Sequence, residues 1–368
     1  MESPYEARIR EDLEQTSDPT DRAILLAERA TYAARIGYFD DAEIILNDLR
    51  RDFGDGRSGR VTVMMMCAEG VLAYFRDLDP RAHERLARAQ LLSVAAKSGP
   101  LSALTSAWLA HIDFNLHRHD DMARAIRMCL GTACSTDLQA KCRISLTLGD
   151  AFLVTEQRPI AQRWYARAHE FAVKLGDHAA VGALTYNQAA LGVFNWRLAS
   201  LESTVDFELL NRAAAEVRSA RNYQGIAQLR SLDHLLDDAQ ASILILQHRF
   251  DEAISSFDRV LAASAPVSPS GHAITSLCDT ALCYASLGRR NDFDRTLARM
   301  NIASLDSCNA DDQAVAYGAL QVAYRLAGHE AEAIACERQM KRSLEQHRAD
   351  INSLNAILEP FEEASLID

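Results

Sequence analysis

Five residues that could ligate a metal, His111, His117, His119, Asp120 and Asp121, fall close together in this chain. Zinc takes three or four N, S or O ligands, with outer partners that fix each imidazole. His117 and His119 are two positions apart, so on a helix their rings point away from one another, and only a turn lets them converge. No further ligand can be named beside them. The plainer reading is a solvated turn between two helices. His117 and His119 are therefore weak metal candidates, and no cofactor is expected. A second pattern is Gly54-Asp55-Gly56-Arg57-Ser58-Gly59, which has the Gly-x-Gly-x-x-Gly spacing of a dinucleotide loop. That loop must follow a strand, and Asn47 to Phe53 reads as a helix, so this run is expected to be a connection. A phosphate-binding loop, a Gly-x-Ser-x-Gly elbow and a His-Glu-x-x-His pair are absent, so no enzymatic activity is expected.

Eight cysteines occur, at 67, 129, 134, 142, 278, 283, 308 and 336, and none forms a Cys-x-x-Cys pair. Cys129 and Cys134, like Cys278 and Cys283, are five apart and do not share a helix face. Reduced thiols packed among apolar neighbours are the expectation. Met64-Met65-Met66 is read the same way, as packing material.

The elements that position these residues announce themselves by repetition. Gly37-Tyr38-Phe39-Asp40-Asp41-Ala42 returns as His248-Arg249-Phe250-Asp251-Glu252-Ala253 and as Gly328-His329-Glu330-Ala331-Glu332-Ala333. Weaker copies centre on Ala82, Ala123, Ala161 and Phe293. The anchors 42, 82, 123, 161, 253, 293 and 333 lie 38 to 41 residues apart, except for one interval of 92 that holds two longer units. A period of this size means stacked helical hairpins, each burying its apolar face against its neighbours.

Within one unit, Lys141 to Thr155 reads as a first helix with Ile144, Leu148, Ala151 and Phe152 on one face. Pro159 to Leu175 reads as the second, with Ala161, Trp164, Tyr165, Ala168 and Ala172 facing inward. Gly176 caps its end, and Asp177 begins the next helix. Pro80 and Pro159 fit first-turn positions, whereas Pro100, Pro266 and Pro269 lie between periodic runs. Strand-like alternation is absent. The expected fold is all-α: a right-handed superhelical solenoid of about eight hairpins, near 21–53, 59–98, 100–134, 137–176, 178–222, 225–263, 271–304 and 310–348, with a closing helix near 351–366. Residues 1–20 would be an N-terminal arm, 21–348 the array, and 349–368 a capping helix with an acidic tail. Ser203 to Arg221 and Gly225 to Gln247 read as unusually long members of the fifth and sixth units.

These hairpins resemble the tetratricopeptide repeat. Leu148-Gly149 with Phe152 fits its first helix, as do Ala281, Tyr284 and Gly288, and Tyr317, Leu320, Tyr324 and Gly328. Units of about forty residues look like the longer repeats of bacterial signalling proteins, such as maltose-regulon activators and Rap-type peptide sensors. Lys174-Leu175-Gly176-Asp177 is similar to their inter-repeat junction. The resemblance implies a concave groove lined by first helices, in which polar residues bind a partner. By register it places Asn187, with Tyr186 beside it, where the family commonly has a peptide-binding Asn, whose amide both donates to and accepts from a backbone. Arg143, Asp150, Asp238 and Asp279 fall on first helices and are expected to face the groove. Basic residues are rare on those helices, so a basic or apolar partner is expected rather than an acidic C-terminus.

Net charge is −12 and basic residues are scattered, which argues against a direct grip on nucleic acid. There is no apolar run long enough to span a membrane and no secretory signal, so a cytoplasmic protein is expected. The favoured expectation is a non-catalytic scaffold that binds a protein or peptide segment in the groove. The competing one is a regulatory sensor whose array binds a small molecule or short peptide and modulates a partner. Separately, Met340, Leu344, His347, Ile351 and Leu354 form an apolar side that would serve as a cap of the last hairpin or, alternatively, as a homodimer contact.

Overall fold

The computed structural model describes residues 3–77, 79, 81–203, 207–263 and 271–364. Pro80, Pro266, Pro269 and the last residues of the acidic tail lie outside them. Among the described residues every regular element is a helix, and no helix is long and apolar enough to cross a membrane.

The repeat anchors explain the hairpins. Ala42, Ala82, Ala123, Ala161, Ala253, Phe293 and Ala333 are all buried. Each lies near the start of a second helix: α3 (Phe39–Phe53), α5 (Arg81–Ala95), α7 (His119–Thr132), α9 (Arg158–Leu175), α13 (Phe250–Ala263), α15 (Arg290–Arg299) and α17 (Glu330–Leu358). A small residue there lets the returning helix approach its partner closely. The partners are α2 (Pro19–Ile36), α4 (Gly59–Asp77), α6 (Gly99–Asn115), α8 (Leu138–Val154), α12 (Asp233–Leu246), α14 (Gly271–Ser286) and α16 (Ala310–Ala327). Gly149 shows how tight the fit is, since a Cβ there would lie 2.7 Å from the Tyr165 ring. The Gly54–Gly59 run connects α3 to α4, with no strand before it.

The chain divides into two compact units, residues 1–185 with 222–232 and 354–368, and residues 186–221 with 233–353. In the first unit, α2, α4, α6 and α8 pack successively side by side. Three pieces complete it that the hairpin pattern does not contain. The expected arm is instead a helix, α1 (Pro4–Gln15), capped by Ser3, whose Oγ accepts from the Glu6 amide. Its Tyr5, Ile9 and Leu13 are buried, and its Tyr5 amide donates to the Gly176 carbonyl at 3.3 Å. Tyr32 of α2 donates to Ser3 Oγ at 2.7 Å. The helix therefore ties the first hairpin to the fourth. The second piece is the break at 228–232, where the Arg230 amide donates to Ile36 O at 3.0 Å and Ser231 Oγ donates to Arg35 O at 2.6 Å. The third is the end of the chain, whose Leu354, Leu358 and Phe361 are buried in the first unit's core.

In the second unit, α12/α13, α14/α15 and α16/α17 share a core with Leu198 of α10 (His178–Ser200). The expected boundary between the fifth and sixth units is displaced. Gly225 lies inside α11 (Phe207–Ala227), and the chain breaks after it, where Gln228 adopts a positive φ and Arg230 and Ser231 are held on α2. The separate closing helix near 351 is also absent. α17 runs unbroken to Leu358, because nothing between Glu337 and Leu354 interrupts its period, and a 3-10 turn at Glu359–Phe361 follows.

Candidate functional site

Every residue of α8 from Ala140 to Phe152 is buried, including Lys141, Arg143, Ser145, Thr147 and Asp150. A helix enclosed on all sides is ordinarily apolar all round. Here the hydroxyls turn back on their own helix, Ser145 donating to Lys141 O and Thr147 to Arg143 O. Asp150 accepts from Tyr165 Oη at 2.7 Å. That bond, together with burial, pushes the tyrosine hydroxyl well above its ordinary range, with burial the larger cause.

Arg143 is the exception. Its guanidinium lies over the Trp108 indole of α6, 3.9 Å from the ring centroid. Arg35, at the end of α2, lies over the same ring at 5.8 Å. His111 meets Trp108 edge-on at 6.0 Å and Tyr74 of α4 at 5.4 Å. Four successive first helices thus contribute to one cluster. α1 and the Arg35–Asp177 pair, which joins the end of α2 to the α9–α10 junction, bring the first and fourth hairpins of this unit together. This is why Arg143 and Asp150, expected on an open groove, are enclosed.

The two arginines differ in their partners. Arg35 forks onto Asp177, with Nη1 to Oδ2 at 2.8 Å and Nη2 to Oδ1 at 3.1 Å. Asp177 Oδ1 also accepts from the Ala180 amide, which caps α10 as expected. Arg143 Nη1 and His111 Nδ1 are buried without a hydrogen-bond partner from the protein. Arg143 remains 5% exposed and His111 6%. Burial, then repulsion from Arg35, pushes the Arg143 guanidinium down to about 10. Burial, then Arg143 and Arg35, pushes the His111 imidazole well below its usual value. At neutral pH the cluster therefore holds a charged guanidinium beside a neutral imidazole, each with an unused polar atom.

The other candidates belong to the second unit. Asp279 accepts from Arg197 Nη1 at 2.7 Å, and the same nitrogen reaches Ser242 Oγ at 3.2 Å. Burial works against the Arg197 charge, but Asp279 outweighs it and pushes the guanidinium up. Asp238 acts electrostatically on both groups and accepts from Ser276 Oγ at 3.1 Å. Tyr186 packs partly buried against the cluster of Ala189 and Val193, and Asn187 beside it is partly buried. The six groove candidates thus form two sets, Arg143 with Asp150 and Tyr186, Asn187, Asp238 and Asp279, one in each unit.

His117 adopts a positive φ in the α6–α7 turn, and its ring lies 5.6 Å from that of His119. His111 belongs to the Trp108 cluster instead. Among the described residues, no group of three or more His, Cys, Asp or Glu could hold a metal ion. All eight cysteines are free; Cys134 is exposed, Cys308 partly buried and the rest buried.

Trp108, Tyr74, His111 and Arg35 were not legible in the sequence as groove-lining residues. The available signal was composition. His111 and Arg143 lie on helices whose apolar residues run nearly all round, and a charged or titratable residue on such a helix needs a partner.

No family model matches the chain, and no curated protein matches it. Among solved structures it is similar to a Rap protein crystallised in complex with competence and sporulation factor. The TM-score is 0.56, with 13% identity over 94% of this chain and 92% of that one. This likeness shows the fold: an all-α, tetratricopeptide-like helical repeat.

Proposed function

We propose that this chain is a non-catalytic binding protein whose inner helices take a segment of a protein or peptide. The observation that carries this reading is the enclosed polar cluster on α2, α4, α6 and α8. It offers an indole, a guanidinium and an imidazole for recognition, with no nucleophile–base pair in hydrogen-bond reach to support turnover. The Rap protein of similar fold was solved with competence and sporulation factor, and a peptide-like ligand is proposed here by that analogy of fold. Asn187, with Tyr186, Asp238 and Asp279, is proposed as a second contact set, in the second unit.

The competing sensor reading has one observation in its favour. α1 and the Arg35–Asp177 pair join the first hairpin to the fourth in the first unit. A ligand that loosens or tightens this closure changes the shape of that unit, and any output then passes to another polypeptide. The proposed setting is the cytoplasm.

The experiment is capture from the host's own extract with the full chain, in parallel with Asn187→Ala and Trp108→Ala. A protein or peptide retained by the wild type and lost by a variant that keeps its circular dichroism supports the reading. Retention that ignores both substitutions, or no retained species at all, ends it.

A further inference from the structure

Arg143 Nη1 and His111 Nδ1 are two buried polar atoms that share one aromatic platform and lack partners. Native interiors rarely leave such groups unpaired, because each forfeits a hydrogen bond it had in water. The charge count around them is uneven. Asp177 is engaged by Arg35 and the Ala180 amide, and Asp150 by Tyr165. Both carboxylates act on Arg143 at a distance, yet burial and Arg35 outweigh them. Arg143 is a cation with no carboxylate of its own.

We propose that Arg143 and His111, seated on Trp108, form a receptor for one carboxylate. One oxygen would accept from Arg143 Nη1 and the other from His111 Nδ1, with the imidazole neutral and its proton on that nitrogen. A monoanion matches one uncompensated guanidinium. A phosphate dianion would bring a second charge into an enclosed site that has no further cation free to meet it. Arg35 raises the local potential but is occupied by Asp177. Trp108 lies against the Arg143 guanidinium, which reduces the ordering that binding would otherwise require. The owner of the carboxylate, an acidic side chain or chain end of a peptide, rests on the binding function proposed above; the receptor itself does not. An acidic ligand of this kind is the reverse of the basic or apolar partner that the scarcity of Lys and Arg on first helices suggests.

The test uses the full chain and sodium acetate, with sodium chloride at equal ionic strength and inorganic phosphate as comparisons. Calorimetry and thermal shift read the binding, since a ligand of the native state raises apparent stability by mass action. Saturable binding of acetate, absent with chloride and weaker with phosphate, is expected. Arg143→Met and Arg143→Lys should each lower acetate affinity by more than roughly tenfold, the usual loss for a hydrogen bond to a charged group. His111→Gln, which keeps a donor, should lower it less than His111→Leu. If Arg143→Met does not fold, the Lys and His111 variants carry the comparison. Acetate binding that fails to saturate, that survives Arg143→Lys unchanged, or that phosphate equals or exceeds overturns the carboxylate assignment. Matched acidic peptides with free and amidated carboxyl groups separate the two proposals. Peptides that bind equally in both forms support the binding function and sink the receptor. Acetate that binds where no peptide does supports the receptor and sinks the function.

Discussion

Arg35 and Arg143 lie over one indole, but only Arg35 has a carboxylate, so breaking the Arg35–Asp177 pair and removing Arg143 should differ in cost. Removing one member of a buried pair leaves the other charge uncompensated, at about 3–5 kcal/mol. Asp177→Ala also deletes the cap of α10, worth about 1 kcal/mol. It should therefore be among the most destabilising single changes in the first unit, as read by denaturant unfolding. Arg143→Met removes a cation that has no such partner and should cost much less, or stabilise. Equal losses in the two variants would show that Arg143 is paired in solution. His111 carries the pH prediction. Arg143 from α8, Arg35 from α2 and Tyr74 from α4 face its ring, and burial with the two cations keeps it neutral in the folded state. The unfolded chain takes up that proton below about 6.5. His111 therefore opposes folding increasingly as pH falls through that value, and its neutral form carries no penalty above it. Asp113, which burial pushes up although its Oδ1 lies 2.7 Å from His83 Nδ1, titrates with the opposite sign, so the comparison must be differential. His111→Gln should lose less stability than wild type between pH 7 and pH 5.5. A parallel fall in both proteins would remove His111 as the cause.

At the scale of elements, what could be read in the sequence and what could not divide along one line. Ala42, Ala82, Ala123, Ala161, Ala253 and Ala333 stand at a local requirement, close approach within a hairpin, and local requirements leave a periodic trace. Gly176 and Asp177 were legible for the same reason. α1 was not, although Ser3-Pro4 with Tyr5, Ile9 and Leu13 has the cap and spacing of a short amphipathic helix. It belongs to no repeat, and it packs both on the neighbouring α2 and on residues more than a hundred positions away. The 228–232 break was missed likewise, since Arg35 and Ile36 decide it. The Trp108 cluster draws one or two residues from each of four repeats, so no window of sequence contains it. Gly176 is where both kinds of requirement meet. Its φ of +67° is left-handed, and a Cβ there would lie 2.6 Å from Pro4 Cβ and 3.2 Å from the Tyr5 amide. Gly176→Ala should cost more than the ~1 kcal/mol of an ordinary C-cap change, because α1 must shift. Hydrogen exchange should show faster amides in α1 as well as at the α9 end. Acceleration confined to α9 and α10 would mean that α1 does not depend on this contact.

At the scale of the whole chain, the last residues are the informative ones. Met340 and Leu344, expected to form a cap or a homodimer contact, are buried in the core of the second unit. Leu354, Leu358 and Phe361 are buried in that of the first. Gln157 Nε2 donates to Asn355 Oδ1 at 2.9 Å, and Arg167 Nη1 to Ala364 O at 3.0 Å. The segment from Leu354 to Phe361 is therefore part of the first unit's core. Burying each of the three large side chains is worth about 1.5–3 kcal/mol, so truncation after Ser353 should lower that unit's stability by several kcal/mol. The tryptophans make this measurable. Trp108 and Trp164 belong to the first unit and Trp196 to the second, so Trp196→Phe leaves fluorescence that reports the first alone. In that background, truncation should move the denaturant midpoint downward, while a Trp196-only chain shifts less. If both probes move together, the two units unfold as one cooperative body. If neither moves, the packing of Leu354, Leu358 and Phe361 adds nothing to stability, and the segment acts as a detachable cap.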